Sequence, residues 1–159
     1  MHNPSKLLSR KSLKSALSSL KKKGKQIVFT NGCFDLLHLG HVRLFNKAKS
    51  LGDILVLGLN SDASLKKLKG PKRPLVSEKA RAELLSSLEA IDYITIFGED
   101  TPKELVKEIN PDILVKGGDY KVNEVAGREF VKKVYIFPVV KGYSTTNLIE
   151  KIVRVYGKK

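Results

Sequence analysis

His38 and His41 stand three residues apart, with Gly40 between them, in the run His38-Leu39-Gly40-His41. The run opens a helix-like stretch, so both imidazoles sit at a helix entrance, where a glycine lets a ligand approach the backbone. Both rings can donate hydrogen bonds to phosphate oxygens. A zinc reading is weaker, because His-x-x-His with no evident third ligand nearby does not complete a metal site. The plainer alternative is that the two histidines are satisfied locally at the helix start.

Other polar clusters follow other apolar runs. Lys116-Gly117-Gly118-Asp119-Tyr120 is one, and Lys141-Gly142-Tyr143-Ser144-Thr145-Thr146 is another, with hydroxyls and backbone amides ahead of a helix start. A helix N-terminus with free N–H groups is an anion site. Two familiar nucleotide signatures, G-x-x-x-x-G-K-[ST] and G-x-G-x-x-G, do not occur, which disfavours P-loop kinases and ordinary dehydrogenases. There is no G-x-S-x-G elbow either. The single cysteine, Cys33, cannot form an internal disulfide, and it reads as a small filler in a tight turn rather than a nucleophile.

The elements that must position these clusters alternate along the chain. Short β-branched runs at 26–30, 54–59, 93–97, 113–116 and 134–139 are separated by helical patterns over 40–51, 78–89, 102–109, 123–132 and 145–156. Five nearly continuous apolar strands between helices imply a parallel α/β sheet covered on both faces. In such a sheet the ligand lies beyond the carboxyl ends of the strands, where the polar clusters fall. Thr101, Pro102 and Glu104 predict a capping box at one helix start. The connection 60–77 carries Lys66, Lys67, Lys69, Lys72 and Arg73 with Gly70, Pro71 and Pro74, and reads as a long functional or mobile loop.

At 159 residues the chain fits one domain, and its composition is that of a soluble globular protein. With no bilayer-length apolar run and no signal-peptide pattern at its start, it is expected in the cytoplasm and away from membranes. The net charge of +14 suits a polyanionic partner, but eight of the basic residues fall within 1–25, which hold no acid. There Leu13, Ala16, Leu17 and Leu20 recur at helical spacing, giving a basic N-terminal helical extension over 1–24 ahead of the domain proper at 25–159. The narrow stripe packs this helix on the domain and its charge reads as a solvated face, with contact to nucleic acid or membrane the less favoured alternative.

From about Lys25 onward the chain resembles the H-x-G-H nucleotidyltransferases, and within them the D-glycero-β-D-manno-heptose 1-phosphate adenylyltransferases. The matching motifs are T-N-G-C-F-D from Thr30 to Asp35, H-L-G-H from His38 to His41 and N-S-D-A-S-L-K-K-L-K-G from Asn60 to Gly70. R-P-L at Arg73 to Leu75, K-G-G-D-Y at Lys116 to Tyr120 and G-Y-S-T-T at Gly142 to Thr146 continue the set. The stretch 127–138 departs from the family in lacking a glycine-containing turn before the last strand.

The resemblance implies a Rossmann-like three-layer domain in which a sugar 1-phosphate oxygen attacks the α-phosphorus of ATP. By the same resemblance His38, His41, Lys69 and Arg81 are catalytic. Thr30, Asn31, Gly32, Phe34, Lys116, Gly117, Asp119, Ser144 and Thr145 bind nucleotide beside the histidines, with Gly117 allowing close backbone approach. Cys33, Asp35, Asn60, Lys69 and Arg81 line the sugar-phosphate side, and a purely structural role for Asp35 stands open beside that one. Magnesium is implied only as an ion carried by the triphosphate, so no protein metal ligands are expected. A homodimer is an open possibility. Two rival readings remain: a glycerol-3-phosphate or related cytidylyltransferase, disfavoured because Val139 to Thr145 lacks that group's arginine, and a nucleic-acid-binding module.

Overall fold

The computed structural model describes residues 6–157; the first five residues of the expected 1–24 extension lie outside it. Five strands form one parallel sheet in the order β3-β2-β1-β4-β5. They are β1 (Ile27–Gly32), β2 (Ile54–Asn60), β3 (Tyr93–Phe97), β4 (Ile113–Gly117) and β5 (Lys133–Phe137). In register, β1 lies between β2 and β4, with Thr30 opposite both Leu57 and Val115. The strands are apolar because helices cover both faces. Side chains alternate across β1: Ile27 and Phe29 join one core, and Val28 joins the other.

The first core is roofed by α2 (Leu39–Lys49) and α4 (Glu78–Ser86), through Leu44, Phe45, Ala82 and Leu85. The second is roofed by α1 (Arg10–Lys22) and α5 (Lys103–Ile109), through Leu13, Leu17, Leu105 and Val106. After β3 the chain crosses to the opposite side of β1, so the order reverses between β1 and β4. That switch point opens a crevice at the carboxyl ends of the two central strands. No helix of the described residues is long and apolar enough to cross a membrane.

The leading helix packs on the domain through its apolar stripe, as its spacing predicts. Leu13 and Leu17 are 1% and 2% exposed, Lys21 donates to the carbonyls of Ile109 and Asn110, and Arg10 pairs with Glu99 and Glu108. Just before α1, the Leu8 N–H donates to Ile94 O and the Ile94 N–H to Lys6 O, which covers the outer edge of β3. Lys11 and Lys14 do face solvent.

Three local expectations are corrected. The connection 60–77 holds a helix, α3 (Asp62–Lys69), with Ser61 capping it by accepting from the Ser64 N–H and Leu65 buried beneath it. Asp62 in its first turn and three lysines in its last complement the helix dipole. The helix expected over 123–132 is two 3-10 turns, Val122–Glu124 and Arg128–Phe130, divided by Gly127 at φ 89°. A Cβ on Gly127 would meet the Val106 side chain at 2.9 Å, so the glycine both breaks the helix and packs flat on α5. The capping box at Thr101 does not form: α5 starts one residue later, with Pro102 at its N-cap and no side-chain cap. The last strand, despite the departure before it, pairs in parallel register with β4 from Lys133 opposite Ile113 to Phe137 opposite Gly117.

Because α1 supplies part of a core, Leu17→Ala should destabilise the protein by about 2–5 kcal/mol, the range for truncating a buried leucine. Lys14→Ala on the exposed face should stay within about 0.5 kcal/mol. Urea unfolding of the two variants checks both values.

Candidate active site

A cleft of about 700 Å³ opens at the switch point. One wall carries the histidines. His38 is the N-cap of α2, yet its imidazole makes no cap hydrogen bond, and it is the His38 carbonyl that accepts from the His41 and Val42 N–H groups. The rings stack at 3.7 Å between centroids with planes 21° apart. Gly40 permits this, since a Cβ there would meet the His38 ring at 3.0 Å. His41 also meets the Phe34 ring edge-on at 5.0 Å, and Phe34 in turn meets Phe45.

Neither imidazole does the local work expected of a capping histidine. Nδ1 of both rings is buried without a protein partner, an arrangement that costs about 1–3 kcal/mol per group unless a ligand supplies one. Burial, helped by the neighbouring His38, lowers the His41 pKa to about 4, and burial lowers that of His38 as well. Two neutral rings can therefore stack closely at pH 7, each with one N–H to donate.

Facing them is the start of α6 (Thr145–Tyr156), where Ser144 is the N-cap and accepts from the Asn147 N–H. The Tyr143 carbonyl lies 3.6 Å from the Cβ position of Gly40, so the N-termini of α2 and α6 border one space. Ser144, Thr145, Asn31 and Gly32 line it. Phe34 holds φ 45°, uncommon for a bulky residue, and this strain sits in the turn that presents His41 its aromatic partner.

Another part of the lining is cationic. Lys69, Arg73 and Lys116 line the cleft together with Cys33, and all three cations act electrostatically on the Cys33 thiol, whose pKa burial nevertheless raises. Lys116 stands 5.1 Å from the Tyr120 ring centroid, and burial lowers its pKa. Arg73 donates through Nε to Asp35, whose side chain is wholly buried. Asp35 also accepts from the N–H groups of Leu75 and Val76 at 2.9 Å. Burial would push the Asp35 carboxyl up, but these backbone donors and the guanidinium outweigh it and hold the group below the usual carboxylate range.

Not every residue singled out from the sequence opens freely onto the cleft. Arg81 lies beneath the cleft, 1% exposed, donating to Val76 O, Cys33 O and Asp62 Oδ1; its position is that of a support for the cleft floor. Thr30 is buried within β1, its hydroxyl unpartnered. Asp119 is exposed and outside the lining. Asn60 reaches the lining, but its amide donates to Ser64 Oγ. Lys69 is the final residue of α3 rather than part of an unanchored loop. Gly117 lines the cleft, and a Cβ there would meet Leu44 at 3.4 Å. Arg73 and Tyr120 were given no role by sequence reasoning, although both lie within the quoted motifs. Among the described residues no group of three or more His, Cys, Asp or Glu side chains is placed to hold a metal ion.

An all-parallel sheet of this order, with its cleft at the switch point and two helix N-termini facing it, defines a Rossmann-like nucleotide-site α/β domain. Residues 29–151 match the Cytidylyltransferase-like family, and the chain belongs to that family. It is 54% identical over 156 residues to the bifunctional protein HldE of Syntrophotalea carbinolica, covering 96% of this chain and 32% of that protein. It is 56% identical over 145 residues to the bifunctional protein HldE of Helicobacter pylori strain J99, covering 91% and 31%. The chain thus spans about a third of the length of these relatives. The crystal structure of a lipopolysaccharide core biosynthesis protein from Thermoplasma volcanium superposes with a TM-score of 0.63 at 30% identity, covering 76% of this chain and all of that one. A pantoate-beta-alanine ligase from Francisella tularensis shares the fold at the same TM-score and 16% identity, over 97% of this chain and 80% of that one.

The lowered His41 pKa has a definite sign. Between the free value near 6.5 and about 4, the unfolded chain binds the proton that the native site refuses. Stability from this group is full above that window and is lost as pH falls through it. By NMR the His41 ring should still be neutral at about pH 5.5, where free histidine is mostly charged. Saturating pyrophosphate should raise its titration midpoint.

Proposed function

We propose that this domain transfers an adenylyl group from ATP to D-glycero-β-D-manno-heptose 1-phosphate, giving ADP-heptose and pyrophosphate in the cytoplasm. The observation that carries the reading is the stacked, neutral histidine pair with unpartnered buried Nδ1 atoms, set where two helix N-termini converge. Membership of the Cytidylyltransferase-like family and the likeness to the HldE proteins support it. The heptose assignment rests on the ordered set of motifs from Thr30 to Thr146.

In the reaction a phosphate oxygen of the sugar 1-phosphate forms a bond to the α-phosphorus, and the bond from that phosphorus to the bridging oxygen breaks. Pyrophosphate leaves with the electron pair. A phosphate monoester is largely deprotonated at pH 7, so the nucleophile needs no general base. What the site must supply is position and charge stabilisation. His38 and His41 donate to the triphosphate as charge builds on the leaving group, and Ser144 and Thr145 hold the β- and γ-phosphates at the α6 N-terminus. Magnesium belongs to this reading as a companion of the triphosphate.

The test is pyrophosphate release from ATP or CTP in the presence of heptose 1-phosphate or glycerol 3-phosphate. Release is expected with ATP and heptose 1-phosphate; faster turnover with CTP and glycerol 3-phosphate would replace this reading by the cytidylyl one. His41→Ala should lower kcat by on the order of 100-fold, the scale for deleting one transition-state donor, with ATP affinity falling less. Near-normal turnover of the folded variant would remove His41 from the chemistry.

A further inference from the structure

The two walls of the cleft differ in kind. The histidine wall is neutral at pH 7 and offers N–H dipoles, hydroxyls and helix N-termini. The other wall concentrates full positive charge with little carboxylate to balance it. Lys69 and Lys116 form no ion pair among the described residues, and Arg73 has one, to Asp35 through Nε. Asp35 is saturated by that bond and by two backbone N–H groups. The other carboxylates of the cleft are engaged as well: Asp100 pairs with Lys67, and Glu124 accepts from the Lys121 N–H.

Arg73 is the most constrained of the three cations. Its side chain is 16% exposed, and the wholly buried carboxylate fixes Nε. The two terminal nitrogens of the guanidinium have no protein partner among the described residues, while the residue itself lines the cleft. A planar guanidinium held at one edge with its other N–H groups unspent is suited to paired donation to an oxyanion. Lys69, the last residue of α3, and Lys116 in β4 both act electrostatically on the same thiol, Cys33, which lines the cleft with them.

From this we infer that Lys69, Arg73 and Lys116 form a second anion seat, which takes the phosphate monoester of the nucleophile and not the triphosphate, with Asp35 as its positioning residue. The inference rests on the transfer reading above. Its physical reason is that the nucleophile, a dianion, must approach the phosphorus of another polyanion. Fixed cations beside the nucleophile offset a repulsion that neutral imidazoles cannot. Such a seat selects phosphate nucleophiles over hydroxyl or carboxylate ones. It also gives Lys116 a role other than the nucleotide binding that the family resemblance implies.

The test uses the full chain saturated with α,β-methylene-ATP, whose carbon bridge blocks the displacement, and measures binding of heptose 1-phosphate and of glycerol 3-phosphate by calorimetry. Arg73→Gln should weaken heptose 1-phosphate binding by roughly 10- to 100-fold, the loss expected for one charged hydrogen-bond partner. Affinity for the ATP analogue should stay within about threefold. Arg73→Gln also frees Asp35 and can unsettle the fold, so Lys116→Gln, whose removal leaves no buried partner behind, must show the same split. Loss of analogue affinity with sugar phosphate binding intact, or equal loss of both, overturns the seat. Absence of any phosphate monoester binding to the wild-type complex overturns it too. Failure of the transfer reading looks different: the wild type binds the monoester and the variants lose it, yet no pyrophosphate is released from authentic ATP.

Discussion

The buried carboxylate of Asp35 is the contact on which the cleft depends. It reaches from the turn after β1 to the chain entering α4, where it accepts from Arg73, Leu75 and Val76. The Val76 carbonyl in turn receives Arg81, whose other arm returns to Cys33 O, two residues before Asp35. A closed circuit of hydrogen bonds thus joins the first turn to the segment between α3 and α4. Breaking a buried, charged circuit leaves groups unpaired in a poorly solvated place, which is far more costly than its net contribution when intact. The third arm of Arg81, to Asp62, ties the start of α3 to the same circuit and so sets where Lys69 emerges.

Built on that floor, the two walls achieve different electrostatics by different means. Burial and mutual proximity keep His38 and His41 uncharged, which lets them stack without repulsion and leaves one N–H on each. Phe34 adds its ring against His41 from a backbone held at positive φ. Elsewhere in the lining Lys116 loses some proton affinity to burial beside Lys69, while Arg73 is paired with Asp35. Neutral donors and cations thus line one cleft, which opens where the strand order reverses between β1 and β4.

The basic leading segment shows that net charge is a poor guide to partners when it is read without packing. Arg10 and Lys21 are spent on Glu99, Glu108 and backbone carbonyls, and their helix closes one face of the sheet. The helix buries Leu13 and Leu17 in that core while Lys11 and Lys14 stay exposed.

The strands and the two ends of the site were legible in the sequence because they rest on local signals. Continuous apolar runs can only be buried central strands, and clusters such as His38-x-Gly40-His41 and Ser144-Thr145 mark helix starts whatever surrounds them. The helix α3 was legible in principle from Ser61, Asp62 and its terminal lysines, but the flanking Gly70, Pro71 and Pro74 drew the whole stretch toward a loop. The sequence could not place Arg81 under the cleft and Arg73 in it. Both are arginines of the same segment, and what separates them is which carboxylate and which carbonyls the fold brings within reach. Asp35, 38 residues before Arg73, and Cys33, 48 before Arg81, become neighbours only once β1 and the α3–α4 segment meet across the sheet edge. Long-range pairing of this kind leaves no trace in local periodicity, so tertiary structure alone decided which arginine lines the cleft and which is buried.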